Sequence, residues 1–224
     1  DTFVHVAENL YEAAPEDECR ERFKIPAPVK GMVEKGMLGN KTRKGFYLKS
    51  KGADGKRVVQ TIDFNTLEYR DKARVNLPSI EMFKNIEDTG ERLAKIAFSK
   101  DRVGNFVWKT LSETLVYAVN RLGEVADDIV NVDRGMTFGF NWELGPFETW
   151  DALGVEKVAR RLEEEGRDVP KMVVDMLAAG HESFYELANP QGRYYNGKDM
   201  QDIPARPGVT VLKDLKKDKS RIVK

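Results

Sequence analysis

Gly139-Phe140-Asn141-Trp142-Glu143-Leu144-Gly145-Pro146-Phe147-Glu148-Thr149-Trp150-Asp151 joins the longest amphipathic pattern of the chain to everything after it. Gly145 can take backbone conformations closed to other residues. Pro146 has no backbone donor to lose at the first position of a helix, so one helix stops here and another starts at Pro146. Phe140, Trp142, Phe147 and Trp150 are large and apolar, which predicts that this corner docks into a core supplied by other helices. On residue types alone, Trp142, Gly145, Pro146, Phe147 and Trp150 are structural positions.

Upstream, Val103, Phe106, Val107, Leu111, Leu115, Ala118, Val119, Leu122 and Val125 hold helical period. They predict a helix of roughly 35 Å. Asp127 or Asp128 caps a further helix through Ile129, Val132 and Met136, which delivers the chain to the corner. Ser79 and Asp88 are the expected caps of two short helices with Ile80, Phe83, Leu93, Ile96 and Ala97 inward. Two more helices are expected near 154–165 and 169–179.

At the other end Phe3, Val6, Ala7, Leu10 and Tyr11 recur at helical spacing, with Asp1 placed to cap and the helix running to about Ala14. Pro15, Pro26 and Pro28 bracket an irregular link. Val29, Met32 and Val33 then make a short helix that Gly36 ends in the left-handed conformation. After the loop 37–45, Phe46-Tyr47-Leu48 leads to Val58-Val59-Gln60-Thr61-Ile62, a turn around Asp63 to Asn65, and Thr66-Leu67-Glu68-Tyr69, a small β-hairpin.

With 224 residues and 41% hydrophobic content the chain can bury a real core. Lys plus Arg equals Asp plus Glu at 37 each, so no net field draws it to nucleic acid or to an acidic membrane. One cysteine, Cys19, excludes an internal disulfide framework and fits a reducing compartment. His5 and His181 have no metal-ligand spacing, so no metal is expected, and both read as surface or helix-end residues. No apolar run approaches the roughly 18 residues of a membrane span and no signal peptide opens the chain, so the expected location is cytoplasmic. Asn40-Lys41-Thr42 matches a glycosylation triplet but reads as a polar loop. The opening Asp1-Thr2-Phe3-Val4 reads as the middle of an amphipathic pattern, so a piece of a longer or processed protein is expected.

The chain also repeats itself. Sliding the first fifty residues along the last seventy puts Asp1 on Glu156, Pro26 on Pro170, Met32 on Met176, Gly36 on Gly180 and Phe46-Tyr47 on Phe184-Tyr185. The pattern of helix, proline, short helix, glycine, Phe-Tyr and hairpin recurs in order. The second copy has its long helix and Gly-Pro corner upstream of Glu156, whereas that half of the first copy would lie before Asp1. The expected organisation is therefore 1–76, the end of a first helical copy plus hairpin; 77–98, connecting helices; 99–188, a complete second copy; and 189–224, a hairpin and linker.

No G-x-G-x-x-G follows a strand, so no dinucleotide site is expected, and residues 39–45 lack phosphate-loop spacing. No nucleophile elbow is present either. The acids Asp127-Asp128 and Glu163-Glu164-Glu165 read as a helix start and a solvated helix face. The loop Lys41-Thr42-Arg43-Lys44 is the feature with a chemical opportunity, because three cations on a short excursion can hold an anionic group such as a phosphate. A solvated turn is the other reading, and the loop's residues leave both open.

Met32-Val33-Glu34-Lys35-Gly36-Met37-Leu38-Gly39-Asn40-Lys41-Thr42-Arg43-Lys44-Gly45-Phe46-Tyr47 resembles the closing motif of the C-terminal domain of 3-hydroxyacyl-CoA dehydrogenases. Gly139 to Asp151 resembles that domain's central corner, and residues 209–217 resemble the linker ahead of a fused enoyl-CoA hydratase. The resemblance covers nearly the whole chain as tandem copies. It implies a mainly α fold, a helical bundle like the C-terminal domain of 6-phosphogluconate dehydrogenase, with one partial and one complete copy, each followed by a small β-hairpin. It also implies a parent that oxidises 3-hydroxyacyl-CoA to 3-ketoacyl-CoA with NAD in fatty-acid β-oxidation, with a Rossmann domain upstream that binds NAD and carries the catalytic histidine and glutamate.

The family places an asparagine at the start of the long helix in a Val-Asn-Arg context. Here the matching residues are Val107-Trp108-Lys109, so Trp108 stands in its place as a packing residue. No catalytic residue is carried over, and Lys41, Arg43 and Lys44 are candidates near the substrate's CoA. A second copy within one chain can stand in for the partner subunit of single-copy relatives. The apolar stripe Phe3, Val6, Leu10, Met32 and Val33 predicts self-association. The other reading is an interaction and scaffold module with no ligand of its own.

Overall fold

The computed structural model describes residues 2–52, 55–186, 192–204 and 208, and the chain divides into two compact units, Asp1–Asn76 and Leu77–Lys224. The capping role expected of Asp1 and the linker expected at 209–217 lie outside the described residues. The architecture is mainly α with two small antiparallel sheets.

Unit 1 comprises α1 (Thr2–Ala13), α2 (Ala27–Glu34) and a sheet in the order β1 (Tyr47–Lys51), β2 (Arg57–Ile62), β3 (Tyr69–Asp71). Pro26 precedes α2 in extended conformation, as a residue with no donor to lose should. Gly36 ends α2 at φ 66°, its N–H donating to Val33 O at 2.9 Å while Met37 N–H donates to Met32 O at 2.8 Å. These bonds satisfy carbonyls that the helix leaves open, and only glycine takes that backbone without strain. β2 and β3 form the expected hairpin, and β1 adds a third strand on the other edge of β2. The segment Thr66–Glu68, expected as strand, is turn, because Leu67 lies at φ 57° and the Asp63 carboxylate accepts the Asn65 N–H at 2.9 Å. Among the described residues of this unit four apolar side chains are buried, Ala7, Ile25, Met32 and Ile62. That is a thin core for two helices and a sheet.

Unit 2 runs α3 (Pro78–Phe83), α4 (Thr89–Ala97), α5 (Arg102–Asn120), α6 (Ile129–Phe140), α7 (Pro146–Leu153), α8 (Val155–Glu164), α9 (Lys171–Ala178) and a sheet of β4 (Tyr185–Glu186), β5 (Arg193–Tyr195) and β6 (Met200–Asp202). Asp88, Asp101 and Asp128 cap α4, α5 and α6 by accepting backbone N–H groups of Glu91, Gly104 and Asn131. Ser79 does not cap α3 as expected. That helix starts on Pro78, and buried Ser79 instead donates its N–H (3.0 Å) and hydroxyl (3.2 Å) to the Asp101 carboxylate. The helices α3 and α4 pack within unit 2, with α4 against both α5 and α7.

The long helix is shorter than its apolar period. It has 19 residues, about 28 Å at 1.5 Å per residue, and the chain then turns through Gly123 at φ 85°. Val125 lies past that end and is exposed, as is Phe106 on the outer face. At the corner, Phe147 and Trp150 are fully buried as expected. Phe140 and Trp142 are not, at 71% and 39% exposure. Asn141 explains the difference. It takes the left-handed conformation (φ 57°) at the end of α6, so the chain reverses there and carries only the α7 side of the corner inward. Gly145 has an ordinary extended backbone (φ −73°, ψ 174°), so its role is space and not backbone freedom. A Cβ at this position would overlap the Asp133 side chain. The core of unit 2 collects Trp108, Leu115, Ile129, Phe147, Trp150, Val158, Leu162, Val173, Met176, Phe184 and Tyr195.

Candidate functional site

The basic loop of unit 1 is a tight, self-braced excursion. Gly39 N–H donates to Lys44 O at 2.8 Å, closing the loop at its base, with Gly39 at φ 89° and Arg43 at φ 60° inside it. The Thr42 hydroxyl accepts the Leu38 N–H at 3.0 Å and donates to Lys44 O at 3.1 Å. The buried Gly45 carbonyl accepts the Tyr69 hydroxyl at 2.7 Å, which ties β3 to the loop's exit. Lys41 and Arg43 are exposed and Lys44 is half-buried, so the structure brings all three cations onto one short turn at the surface.

Beside the loop's base lies an apolar groove of about 290 Å³, lined by Phe3, Val29, Met32, Val33, Leu38 and Phe46 among others. Two of these residues, Leu38 and Phe46, escaped the helical stripe read from the sequence because loop closure, not periodicity, brings them in. Met32, expected on the open stripe, is buried at 3% exposure as the floor, while Phe3, Val6 and Leu10 stay exposed.

Trp108, on α5 of unit 2, is buried at 3% exposure. Its ring lies 5.6 Å from that of Phe98, and the Arg161 guanidinium covers it at 4.1 Å from the centroid. Its indole N–H donates to the Glu165 carboxylate at 2.6 Å, which also accepts the Arg161 Nε–H at 3.1 Å. Glu165 is therefore more than part of a solvated face. Arg167 donates at 2.6 Å to the hydroxyl of Ser112, one turn along from Trp108 and fully buried.

Sequence reasoning passed over a second polar feature of unit 2. Asp133 of α6 accepts the Phe147 N–H (2.9 Å) and Glu148 N–H (3.1 Å) at the start of α7, and the Tyr185 hydroxyl at 2.8 Å. Asp151, near the end of α7, accepts the N–H groups of Phe184 (2.7 Å) and Tyr185 (2.9 Å). Two carboxylates thus staple α6, α7 and β4 together. The available sign was Asp133 itself, four residues after Ile129 on the buried face of its helix.

Burial pushes both carboxyls up to about 7, against the pull of the N–H and O–H donors and with a further push from Glu148. Burial and the Asp133 carboxylate likewise push the Tyr185 hydroxyl up. Unfolded aspartates titrate near 4, so between about pH 4 and 7 the folded chain keeps protons that the unfolded chain gives up. The corresponding stability is fully present below about pH 4 and is lost as pH rises through about 7, on the order of 4 kcal/mol for each carboxyl. Urea midpoints of the wild type should fall between pH 5 and pH 8 relative to those of Asp133→Asn/Asp151→Asn. Parallel profiles for the two proteins would contradict the raised values.

Both sheets are antiparallel, and the described residues contain no parallel strand-turn-helix unit of the kind that cradles a dinucleotide. Among them no helix is long and apolar enough to cross a membrane and no cluster of His, Cys, Asp or Glu could hold a metal ion.

Over its whole length the chain is 39% identical to a protein of Bacillus subtilis (strain 168) named as a 3-hydroxyacyl-CoA dehydrogenase, and it spans 28% of that protein. Over 149 residues, 66% of the chain, it is 27% identical to a Rickettsia felis protein and 24% identical to one of Rickettsia prowazekii. Both are named as fatty acid oxidation complex trifunctional enzymes, and the match spans 19% of each. No family model and no solved structure matches the chain.

Proposed function

From homologues that are 3-hydroxyacyl-CoA dehydrogenases and fatty acid oxidation enzymes, we propose that this chain is the C-terminal helical region of an NAD-dependent 3-hydroxyacyl-CoA dehydrogenase. The observation that carries this reading is the 39% identity maintained over all 224 residues. The parent converts 3-hydroxyacyl-CoA to 3-ketoacyl-CoA, with a Rossmann domain upstream and an enoyl-CoA hydratase domain downstream, and this region supplies walls on the substrate side and packing like that of a dimer.

NAD is assigned to the upstream Rossmann domain, so no step of the reaction is routed through it here and no catalytic residue is assigned. Lys41, Arg43 and Lys44 are the residues for the CoA phosphates: they lie on one short loop whose backbone is braced at its base. Trp108 fills, with an apolar ring, the position where the family's pattern carries a polar asparagine, and the second copy is structural.

Two titrations test the reading. Nicotinamide fluorescence should show no NADH binding to this chain, and stoichiometric binding at micromolar concentration would overturn the division of labour between domains. Acetoacetyl-CoA should bind weakly, more weakly with added salt, and less again in Lys41→Ala/Arg43→Ala/Lys44→Ala. A scaffold without ligand of its own, the second reading, gives no acyl-CoA signal at any salt concentration.

A further inference from the structure

The two units end in the same way but are covered differently. In each, an eight-residue helix following a proline (α2, α9) is closed by a positive-φ glycine with the same pair of backbone bonds. Met37 N to Met32 O and Gly36 N to Val33 O correspond to His181 N to Met176 O and Gly180 N to Leu177 O. In each, a Phe-Tyr pair then enters the sheet, and the phenylalanine carbonyl accepts an N–H from the next strand, from Ile62 in unit 1 and from Tyr195 in unit 2.

Corresponding side chains nevertheless differ in exposure. Phe184 is fully buried and Phe46 is 49% exposed. Placing Asp1 on Glu156 puts Phe3, 68% exposed, on Val158, which is fully buried. In unit 2 the cover over Phe184 is α7. Phe147 and Trp150 meet its ring edge-on at 4.9 and 6.1 Å, and Asp151 accepts the Phe184 and Tyr185 N–H groups. At the corresponding place unit 1 has the apolar groove lined by Phe3, Met32, Val33, Leu38 and Phe46.

We propose that this groove is the docking site of a short helix of the α7 pattern, Pro-Phe-x-x-Trp-Asp, supplied by polypeptide other than the described residues. Its two aromatic rings, one turn apart, fill the groove against Phe46, and its terminal carboxylate receives the Phe46 and Tyr47 N–H groups as Asp151 receives those of Phe184 and Tyr185. Charge agrees with this occupant. The α7 pattern carries acids at Glu148 and Asp151, and the loop at the groove's edge carries Lys41, Arg43 and Lys44 where unit 2 has only His181-Glu182-Ser183. The α7 of this chain is not the occupant, since Phe147 and Trp150 are fully buried in unit 2. The proposal rests on the correspondence between the units and not on the dehydrogenase reading.

The test uses the intact chain, labelled with ¹⁵N, and an acetylated, amidated peptide of residues 141–153 as the probe. Saturable amide shifts are expected at Met37, Leu38, Gly39, Gly45, Phe46 and Tyr47. A peptide with Phe147→Ala and Trp150→Ala should bind at least tenfold more weakly, and one with Asp151→Asn severalfold more weakly. Absence of shifts up to millimolar peptide, equal binding of the alanine peptide, or shifts confined to residues 77–204 would overturn the proposal. So would concentration-dependent shifts at the groove residues that the peptide does not displace, which would mean that a second copy of the chain covers this face.

Discussion

Trp108→Ala is expected to lower the unfolding free energy of unit 2 by about 3–5 kcal/mol, the range for truncating a large buried aromatic side chain. The residue warrants the upper part of that range because three kinds of contact go at once. The ring loses the core and Phe98, Arg161 loses the face that it covers, and Glu165 loses the indole N–H. Arg161 and Arg167 would still hold Glu165, so that carboxylate is not left unpaired. Trp108→Phe separates packing from hydrogen bonding: it keeps most of the apolar contact and loses the bond to a charged acceptor, for about 1.5–3 kcal/mol. Urea denaturation followed by circular dichroism measures both. An unchanged midpoint for Trp108→Ala would contradict its role as a packing residue. Trp108→Asn should gain no dehydrogenase activity, since no other part of the reaction's machinery is assigned to these residues.

Gly145→Ala is the second large effect expected, a loss of more than about 3 kcal/mol from adding one methyl group. The new Cβ would overlap the Asp133 side chain, and Asp133 cannot retreat without giving up Phe147 N–H, Glu148 N–H and the Tyr185 hydroxyl. Overpacking is therefore compounded by loss of bonds to a buried carboxylate. Gly139→Ala is the control six residues away in the chain. It lies within α6, its added Cβ meets nothing within 4 Å, and its φ is not positive. Alanine there should be neutral or stabilise by up to about 1 kcal/mol through helix propensity. Equal losses for the two substitutions, read as shifts in melting temperature, would mean that the corner is sensitive to glycine replacement in general and not to the Asp133 contact.

Most elements could be read directly from local chemistry. The order of helices, the starts at Asp88, Asp128 and Pro146, and the glycine ends at Gly36 and Gly180 follow from side chains or backbones that cap a helix within a few residues of themselves. The basic loop was equally legible, because three cations between two glycines have no other element to belong to. The readings that failed depended on where a periodic pattern stops or turns. Val125 continued the apolar period of α5 beyond its last turn, and Phe140 and Trp142 shared the composition of Phe147 and Trp150 but not their side of the Asn141 reversal.

What the sequence determined by itself, then, was the set of elements and their polarity, because each depends on spacing and on neighbours within about one helical turn. Tertiary structure decided which apolar faces find a partner. Phe46 and Phe184 follow similar local sequence, yet in unit 2 α7 covers Phe184 as a core residue, while in unit 1 Phe46 lines an open groove. It also decided that two aspartates, 18 residues apart, act as one staple and titrate near neutrality. Burial is a property of everything packed around a group, and no window of sequence contains it.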